Sequence, residues 1–346
     1  MIFSHLILNW YQNSKRNLPW RSTRDPYKIW LSEIILQQTK IAQGTAYYLK
    51  FLNAFPNIRD LANAPEEHVM KLWQGLGYYT RARNLHKTAK FVSDELNGVF
   101  PNKYSEIIKL KGIGPYTAAA ISSICFNEKR AVVDGNVYRV LARTHKIITE
   151  INSNLGRKEF QQLADQLICK KNPGDYNQGL MDLGSTICLP KKPKCNFCPV
   201  NKSCKSKKDN LKLLLPNKIK KKKPLKRTIH YLFIEGSKHF YMQKRKQNDI
   251  WKNLYDFPQI EKQSSNNLEK LSVQQKLKKI IPNKSFINIG TSKFIHNLSH
   301  QKLHISITHI KTNNLLEISE YILMTRKKLK KIPIPKPIEL FFQELE

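Results

Sequence analysis

Two acidic residues and four cysteines are the side chains here whose types and spacing point to chemistry. Glu33 lies in "IWLSEIILQQT". On a helix its neighbours three and four positions away are Trp30, Ile29, Leu36 and Gln37, mostly apolar. Burial among them disfavours the charged carboxylate and raises its pKa, which suits a proton donor. Asp134 lies in "AVVDGNVYRV", after a β-branched run and before a helix, where its side chain serves as an N-cap. Two carboxylates in unlike environments can divide the acid and cation-stabilising roles of glycosidic-bond cleavage. Each also has a purely structural reading, as a surface glutamate on a half-buried helix and as a plain cap. Cys188, Cys195, Cys198 and Cys204 follow C-x6-C-x2-C-x5-C. Four thiolates at such spacing close a zinc site or hold a [4Fe–4S] cluster, and the spacing leaves both open. Lys191, Lys192, Lys194, Lys202 and Lys205 surround them. Cys125 and Cys169 stand alone in apolar surroundings and read as core residues.

Two glycine turns carry a second kind of chemistry. In "LKGIGPYTAAAI", Gly112 and Gly114 offer backbone angles that side chains avoid and leave amides uncovered. Pro115 then opens a helix whose N-terminus attracts anions. A DNA phosphate is the natural anion, and an ordinary helix connection is the alternative. "GLGYYTRARNLHK" joins a glycine turn, paired tyrosines and basic residues, a composition suited to base stacking and phosphate contact. Gln37, Gln38 and Thr39 form a polar patch suited to a groove or to solvent.

These residues need elements to position them. The chain has 346 residues, 40% hydrophobic, enough for two domains with cores. No run of eighteen apolar residues occurs, so a membrane span is not expected. The N-terminus reads as a first helix, not a signal peptide. Sixty Lys and Arg against 26 Asp and Glu give a formal charge of +34. Such a chain is drawn to polyanions, nucleic acid first and an anionic membrane surface second. Abundant Lys, Asn and Ile also fit an AT-rich genome. Residues to about 205 read as helices with short breaks, capped by Asp25 before Pro26 and by Asp134. "NKIKKKKPLKR" reads as a basic linker. "TIHYLFIEG", "HFYMQKRK" and "KLHISITHIK" read as strands and "NNLEKLSVQQKLKKII" as a helix, an α+β second domain.

Taken together and in order, "LPWR", "PYKIWLSEIILQQT", "GLGYYTRARNLHK", "LKGIGPYTAAA", "VVDGNV", "MDLG" and the four-cysteine loop resemble adenine DNA glycosylases of the MutY type. These enzymes belong to the endonuclease III-like helix-hairpin-helix superfamily. The resemblance is dense over residues 1–205 and weaker beyond. It implies a mainly α catalytic region at 1–205, with a helical barrel at about 25–130 and a cluster subdomain from 1–24 and 131–205. It further implies a linker at 206–226 and an α+β Nudix-like lesion-reading domain at 227–346. It implies one [4Fe–4S] cluster on the four cysteines and removal of adenine mispaired with 8-oxoguanine or guanine in double-stranded DNA. A monomer, cytoplasmic and used at the nucleoid, is implied as well.

By the same resemblance Glu33 protonates the adenine at N7 and later activates water. Asp134 stabilises the sugar cation, and Asn136 supports the pair by hydrogen bonding. Arg16, Trp20, Leu36, Gln178 and Met181 line the adenine pocket. Gln38 and Tyr78 fill or wedge the stack. Gly112, Ile113 and Gly114 bind phosphate through the backbone. His296, Ser299 and His300 in "HNLSH" contact the lesion. Leu298 stands where many members have Phe, and Ala119 where relatives often have Gly. No R-E-x-x-E-E cluster follows Pro258, so nucleotide hydrolysis is not expected. An endonuclease III-type lyase needs a lysine just past the hairpin to form a Schiff base. Tyr116 occupies that position in the catalytic site. A non-catalytic DNA-binding or redox-sensing module would need neither carboxylate.

Overall fold

The computed structural model describes residues 2–211, 213–219, 223–246, 249–262, 270–282, 286–313 and 315–345. Contacts divide the chain into two compact units, Met1–Asn63 with Asn84–Lys221, and Ala64–Arg83 with Lys222–Glu346. The helices up to the cysteine loop are α1 (Ile2–Ser14), α2 (Pro26–Leu36), α3 (Ile41–Ala54), α4 (Ile58–Asn63), α5 (Glu66–Trp73), α6 (Thr80–Glu95), α7 (Tyr104–Ile107), α8 (Pro115–Phe126), α9 (Gly135–His145), α10 (Asn154–Leu167) and α11 (Pro173–Thr186). A short helix α12 (Lys205–Lys208) follows the last cysteine.

In the first unit the start of α2 follows from its cap. Asp25 accepts from the Tyr27 amide, and Pro26 supplies a preset φ at the first position. Eight of its eleven residues are buried, Glu33 among them, so α2 is an interior helix. It packs against α3 and α8. The alanines Ala118–Ala120 of α8 are buried and let the backbones approach. Helix α11 packs against α1, α8 and α9. Its Gly184 is required there, because a Cβ would stand 2.6 Å from the Asn136 Cβ. That closeness brings the start of α9, and hence Asp134, against α11.

The second unit holds a mixed sheet of β1 (Leu225–Glu235), β2 (Phe240–Lys244), β3 (Tyr255–Asp256), β4 (Gln259–Lys262), β5 (Phe286–Asn297), β6 (Gln301–Thr312) and β7 (Ile322–Met324). The order is β3-β2-β1-β6-β5, with β4 on β1 and β7 on β2. Strands β1 and β6 run parallel, from Leu225↔Gln301 to Glu235↔Lys311. Helix α13 (Lys270–Ile280) brings Leu277 and Ile280 onto Leu232, Ile234, Tyr241 and Ile310. The alternate side chains of β1 and β2 face an aromatic cluster. There Phe233 and Phe240 meet Phe257 and Phe342, and Phe341 meets Phe233 edge-on. Phe341 and Phe342 belong to α15 (Lys336–Leu345), which follows the short α14 (Arg326–Leu329). Fully burying one such ring contributes about 1.5–3 kcal/mol. The strands expected at "TIHYLFIEG", "HFYMQKRK" and "KLHISITHIK" are present. The start of the expected "NNLEKLSVQQKLKKII" helix, 266–269, lies outside the described residues.

Candidate active site

Glu33 and Asp134 come together in the first unit. Glu33 is 8% exposed, and burial raises its pKa from 4.5 to about 7, against the lowering pull of a Tyr116 hydrogen bond and the Arg21 charge. The negative charge of Asp134 adds to the rise, so the two carboxylates sense each other. The Tyr116 hydroxyl also lies 3.3 Å from the Met181 sulfur. Tyr116 is buried, and its phenol is raised well above 10 by burial and by both carboxylates. It remains neutral.

Asp134 is the N-cap of α9. One carboxylate oxygen accepts from the amides of Asn136 at 2.9 Å and Val137 at 2.8 Å. The other accepts from the Asn136 side chain at 2.9 Å. Burial raises its pKa, opposed by these three hydrogen bonds and then by the charge of Arg139. The structural and chemical readings of Asp134 are therefore compatible: the cap is what orients the carboxylate. Arg139 extends the arrangement. It donates to the Asn136 side-chain oxygen at 2.9 Å, the Gly184 carbonyl at 2.6 Å and the Cys188 carbonyl at 2.7 Å.

Of the residues expected around a purine, Arg16 and Gln178 are linked through Asp182 and Arg21, and Met181 meets Tyr116. Gln178 accepts from the Tyr11 hydroxyl and from Arg21. Asp182, fully buried, accepts from Arg16 at 3.0 Å and Arg21 at 3.0 Å. Met181 reaches Tyr116. Trp20 is buried edge-on against Tyr48. Leu36 closes α2, its Cδ2 occupying the space a Cβ at Gly44 would take. Arg21, Arg139, Asp182 and Gly184 carry much of this geometry and were not singled out in the sequence. Their signal was present only as membership in "LPWR", "VYR" and "MDLG".

The hairpin turn differs from expectation in one respect. Gly112 has φ +81°, and a Cβ there would stand 2.6 Å from the Asn84 Cβ, so glycine is required twice over. Gly114 is the N-cap of α8 in ordinary extended backbone, with nothing within 4 Å of a Cβ. It needs no special angle; it leaves the helix N-terminus uncovered. Ile113 is buried and anchors the turn. Gly112→Ala is expected to cost about 1–3 kcal/mol through backbone strain, read as a lowered urea midpoint. Gly114→Ala is expected to leave the midpoint unchanged.

Gln38 and Tyr78 both have left-handed backbone, φ 56° and 46°, which is costly for side chains of this size. Such strain concentrates at functional positions. Gln38 is exposed in the turn between α2 and α3. Tyr78, 41% exposed, belongs to the second unit. There too lies the β5–β6 hairpin, closed by the Leu298 amide on the Gln301 carbonyl, with Ser299 and His300 exposed. The His296 ring packs on Trp251 at 5.9 Å, and burial lowers its pKa.

Cys188, Cys195, Cys198 and Cys204 line one cavity of about 30 Å³ whose remaining wall includes Val140 and Leu183. Arg143 lies 3.4 Å from the Cys188 sulfur and donates to the Leu189 and Pro190 carbonyls, fixing the loop. An all-sulfur donor set facing an apolar wall fits a thiolate-held metal group. Among the described residues no group of three His, Cys, Asp or Glu side chains is drawn up as a single-ion site. No helix among them is long and apolar enough to cross a membrane.

A family model described as HhH-GPD superfamily base excision DNA repair protein matches residues 31–166, and a NUDIX domain model matches residues 230–344. An adenine DNA glycosylase of Buchnera aphidicola subsp. Baizongia pistaciae is 40% identical over 317 residues, covering 91% of this chain and 88% of the relative. One from Mus musculus is 43% identical over 213 residues, covering 59% of this chain and 41% of its own length. Among solved structures, a thermostable thymine-DNA glycosylase is 33% identical with TM-score 0.55, covering 60% of this chain and 96% of its own. A non-covalent endonuclease III–DNA complex, at 21% identity and TM-score 0.52, shares the fold, covering 61% of this chain and 95% of its own. The carboxylate pair sits inside the matched helical region, the matches extend through the C-terminal sheet, and the chain belongs to the family of adenine DNA glycosylases.

Proposed function

We propose that this enzyme is monofunctional and excises adenine mispaired with 8-oxoguanine or guanine from double-stranded DNA, as a step of base excision repair. The observation that carries the reading is the unlike carboxylate pair. Glu33 keeps its proton to about pH 7, beside an Asp134 held by three hydrogen bonds. The adenine is turned out of the stack at an unstacking cost of a few kcal/mol. Arg16, Trp20, Leu36, Gln178 and Met181 hold it. Glu33 gives its proton to N7, the C1′–N9 bond breaks with its electron pair going to N9, and a neutral base leaves. Asp134 stabilises the positive charge left on the sugar, and Asn136 keeps its carboxylate aimed. Water then adds to C1′ and returns a proton to Glu33. Tyr116 hydrogen-bonds Glu33 and offers no amine, so no Schiff base forms and the strand is not cut.

Gly112, Ile113 and Gly114 grip a phosphate through backbone amides. Gln38 and Tyr78 fill the opened stack. His296, Ser299 and His300 contact the lesion, and the second unit hydrolyses no nucleotide. Cys188, Cys195, Cys198 and Cys204 would hold one [4Fe–4S] cluster. When bound, that group crosslinks the loop to which Arg139 and Arg143 are bonded. The test is single-turnover excision on duplexes carrying A:8-oxoguanine, A:G and A:T. Adenine release is expected fastest opposite 8-oxoguanine, with strand breaks only after alkali. Equal rates on all three, or cleavage without alkali, would overturn the reading.

A further inference from the structure

The segment Ala64–Arg83, which carries Tyr78, is part of the compact unit formed by Lys222–Glu346. Specific bonds hold it there. The Asn253 side chain donates to Glu66 at 2.5 Å, and the Tyr255 hydroxyl to Glu67 at 3.3 Å. The Lys71 ammonium donates to the Ile332 carbonyl at 2.9 Å, and the Ile334 amide to Gln74 at 3.3 Å. Arg83 donates to the Lys252 carbonyl at 2.9 Å. Helix α5 is thus gripped at both ends, and α6 at its start.

Between those grips the turn that bears Tyr78 is stiff. Gly75, Gly77 and Tyr78 all have positive φ. The Trp73 indole donates to the Gly77 carbonyl at 2.9 Å. The Arg81 guanidinium lies 4.9 Å over the Trp73 ring and 5.7 Å from the Tyr78 ring, and donates to the Leu76 and Gly77 carbonyls. A displacement of the grips therefore moves Tyr78 itself.

The anchoring stretch Trp251–Tyr255 has a second neighbour. Trp251 packs on the ring of His296, next to the turn of the β5–β6 hairpin. Ion pairs brace its flanks: Asp249 bridges Arg227 and Arg245, and Arg245 pairs with buried Asp256 at 2.8 Å and exchanges backbone hydrogen bonds with Asn253 and Leu254. One short, braced strap thus touches the hairpin at one end and the Tyr78 segment at the other.

We propose that the strap Trp251–Tyr255 couples the hairpin to Tyr78, so that lesion contact by the second unit sets how Tyr78 enters the duplex. The inference rests on the reading of His296–His300 as the lesion contact and of Tyr78 as the stack-filling residue. Glu66, Lys71 and Asn253 are positioning residues under it. None of them is proposed to touch substrate.

The experiment uses the full chain and three duplexes, A:8-oxoguanine, A:G and one with 2-aminopurine beside the adenine to report unstacking. The double variant E66A/K71M removes two grips. Its preference for 8-oxoguanine over guanine is expected to fall about tenfold, the scale of coupling through packed side chains, with excision from A:G unchanged and the fluorescence rise diminished. Asn253→Gly, which keeps the positive φ of Asn253 (68°) but loses the bond to Glu66, is expected to act in the same direction. Glu66→Gln retains an acceptor and is expected to restore the wild-type preference. In a His296→Ala background, E66A/K71M is expected to add no further loss. Losses that multiply, or a preference untouched by E66A/K71M in a protein melting as wild type, overturn the coupling. The underlying reading is tested separately by His296→Ala and Tyr78→Ser. If neither alters the preference, that reading fails and the coupling fails with it.

Discussion

Glu33→Gln is expected to bind mispaired duplex and to release almost no adenine. General acid catalysis is worth about 10²–10⁴ in rate, and under the proposed mechanism Glu33 serves both protonation and water activation, so the loss is expected at or above the upper end. Single-turnover excision measures it; adenine release at the wild-type rate would sink the assignment. The same substitution raises stability in alkaline solution. Burial raises the folded pKa from 4.5 to about 7. The native state therefore binds more protons than the unfolded chain between those values, and wild-type stability falls as pH rises through that window. Above pH 7 the buried carboxylate is charged, a destabilisation of about 3 kcal/mol by the scale of 1.36 kcal/mol per pKa unit. Gln carries no such charge. The variant is expected to melt higher at pH 8 and to lack this pH dependence between 4.5 and 7. The wild-type kcat/KM is expected to decline as pH rises through about 7, where the proton to be donated is lost.

Asp134→Asn separates charge from fold at the second carboxylate. Asn caps helices nearly as well as Asp, and its oxygen can still accept from the Asn136 and Val137 amides. The melting temperature is therefore expected to stay close to wild type. What disappears is the negative charge that the proposed mechanism sets against the sugar cation. Removing a preorganised electrostatic stabiliser costs about 10²–10³ in kcat. The new amide also faces the Asn136 amide that formerly donated to it, so the aim of the side chain is lost as well. Excision is expected to drop by at least that factor with duplex affinity retained. If Asp134 acts as proposed, its ionisation sets the acid limb of the rate profile, and that limb is expected to vanish from the residual activity. A variant that keeps both wild-type rate and acid limb removes Asp134 from the mechanism.

Several local features were legible in the residues alone. Asp25 before Pro26 marked the start of α2, and Asp134 before Gly135 marked that of α9, because capping is a matter of adjacent atoms. The apolar neighbours of Glu33 pointed to a buried carboxylate beside the alternative of a surface glutamate, and the structure buries it. Gly114 does not need the unusual angles its residue type offers, since that need depends on the turn actually adopted. Strand β5 was not anticipated: its burial alternates weakly, and its pairing partner β6 supplies most of what holds it. The parallel register of β1 with β6 joins residues far apart in the chain, and no local period encodes it.

The amino-acid order by itself determined the family motifs, the caps, the four-thiolate loop and the basic charge. These are properties of residue type and short spacing. Only the tertiary structure decided that Glu33, Tyr116 and Asp134 share one site, that Arg139 ties Asn136 to the Cys188 carbonyl, and that the Tyr78 segment belongs with the C-terminal sheet. Those pairings depend on which distant surfaces bury each other. Gly184 against Asn136 and Asn253 against Glu66 are set by close packing between elements, which local sequence pattern does not specify.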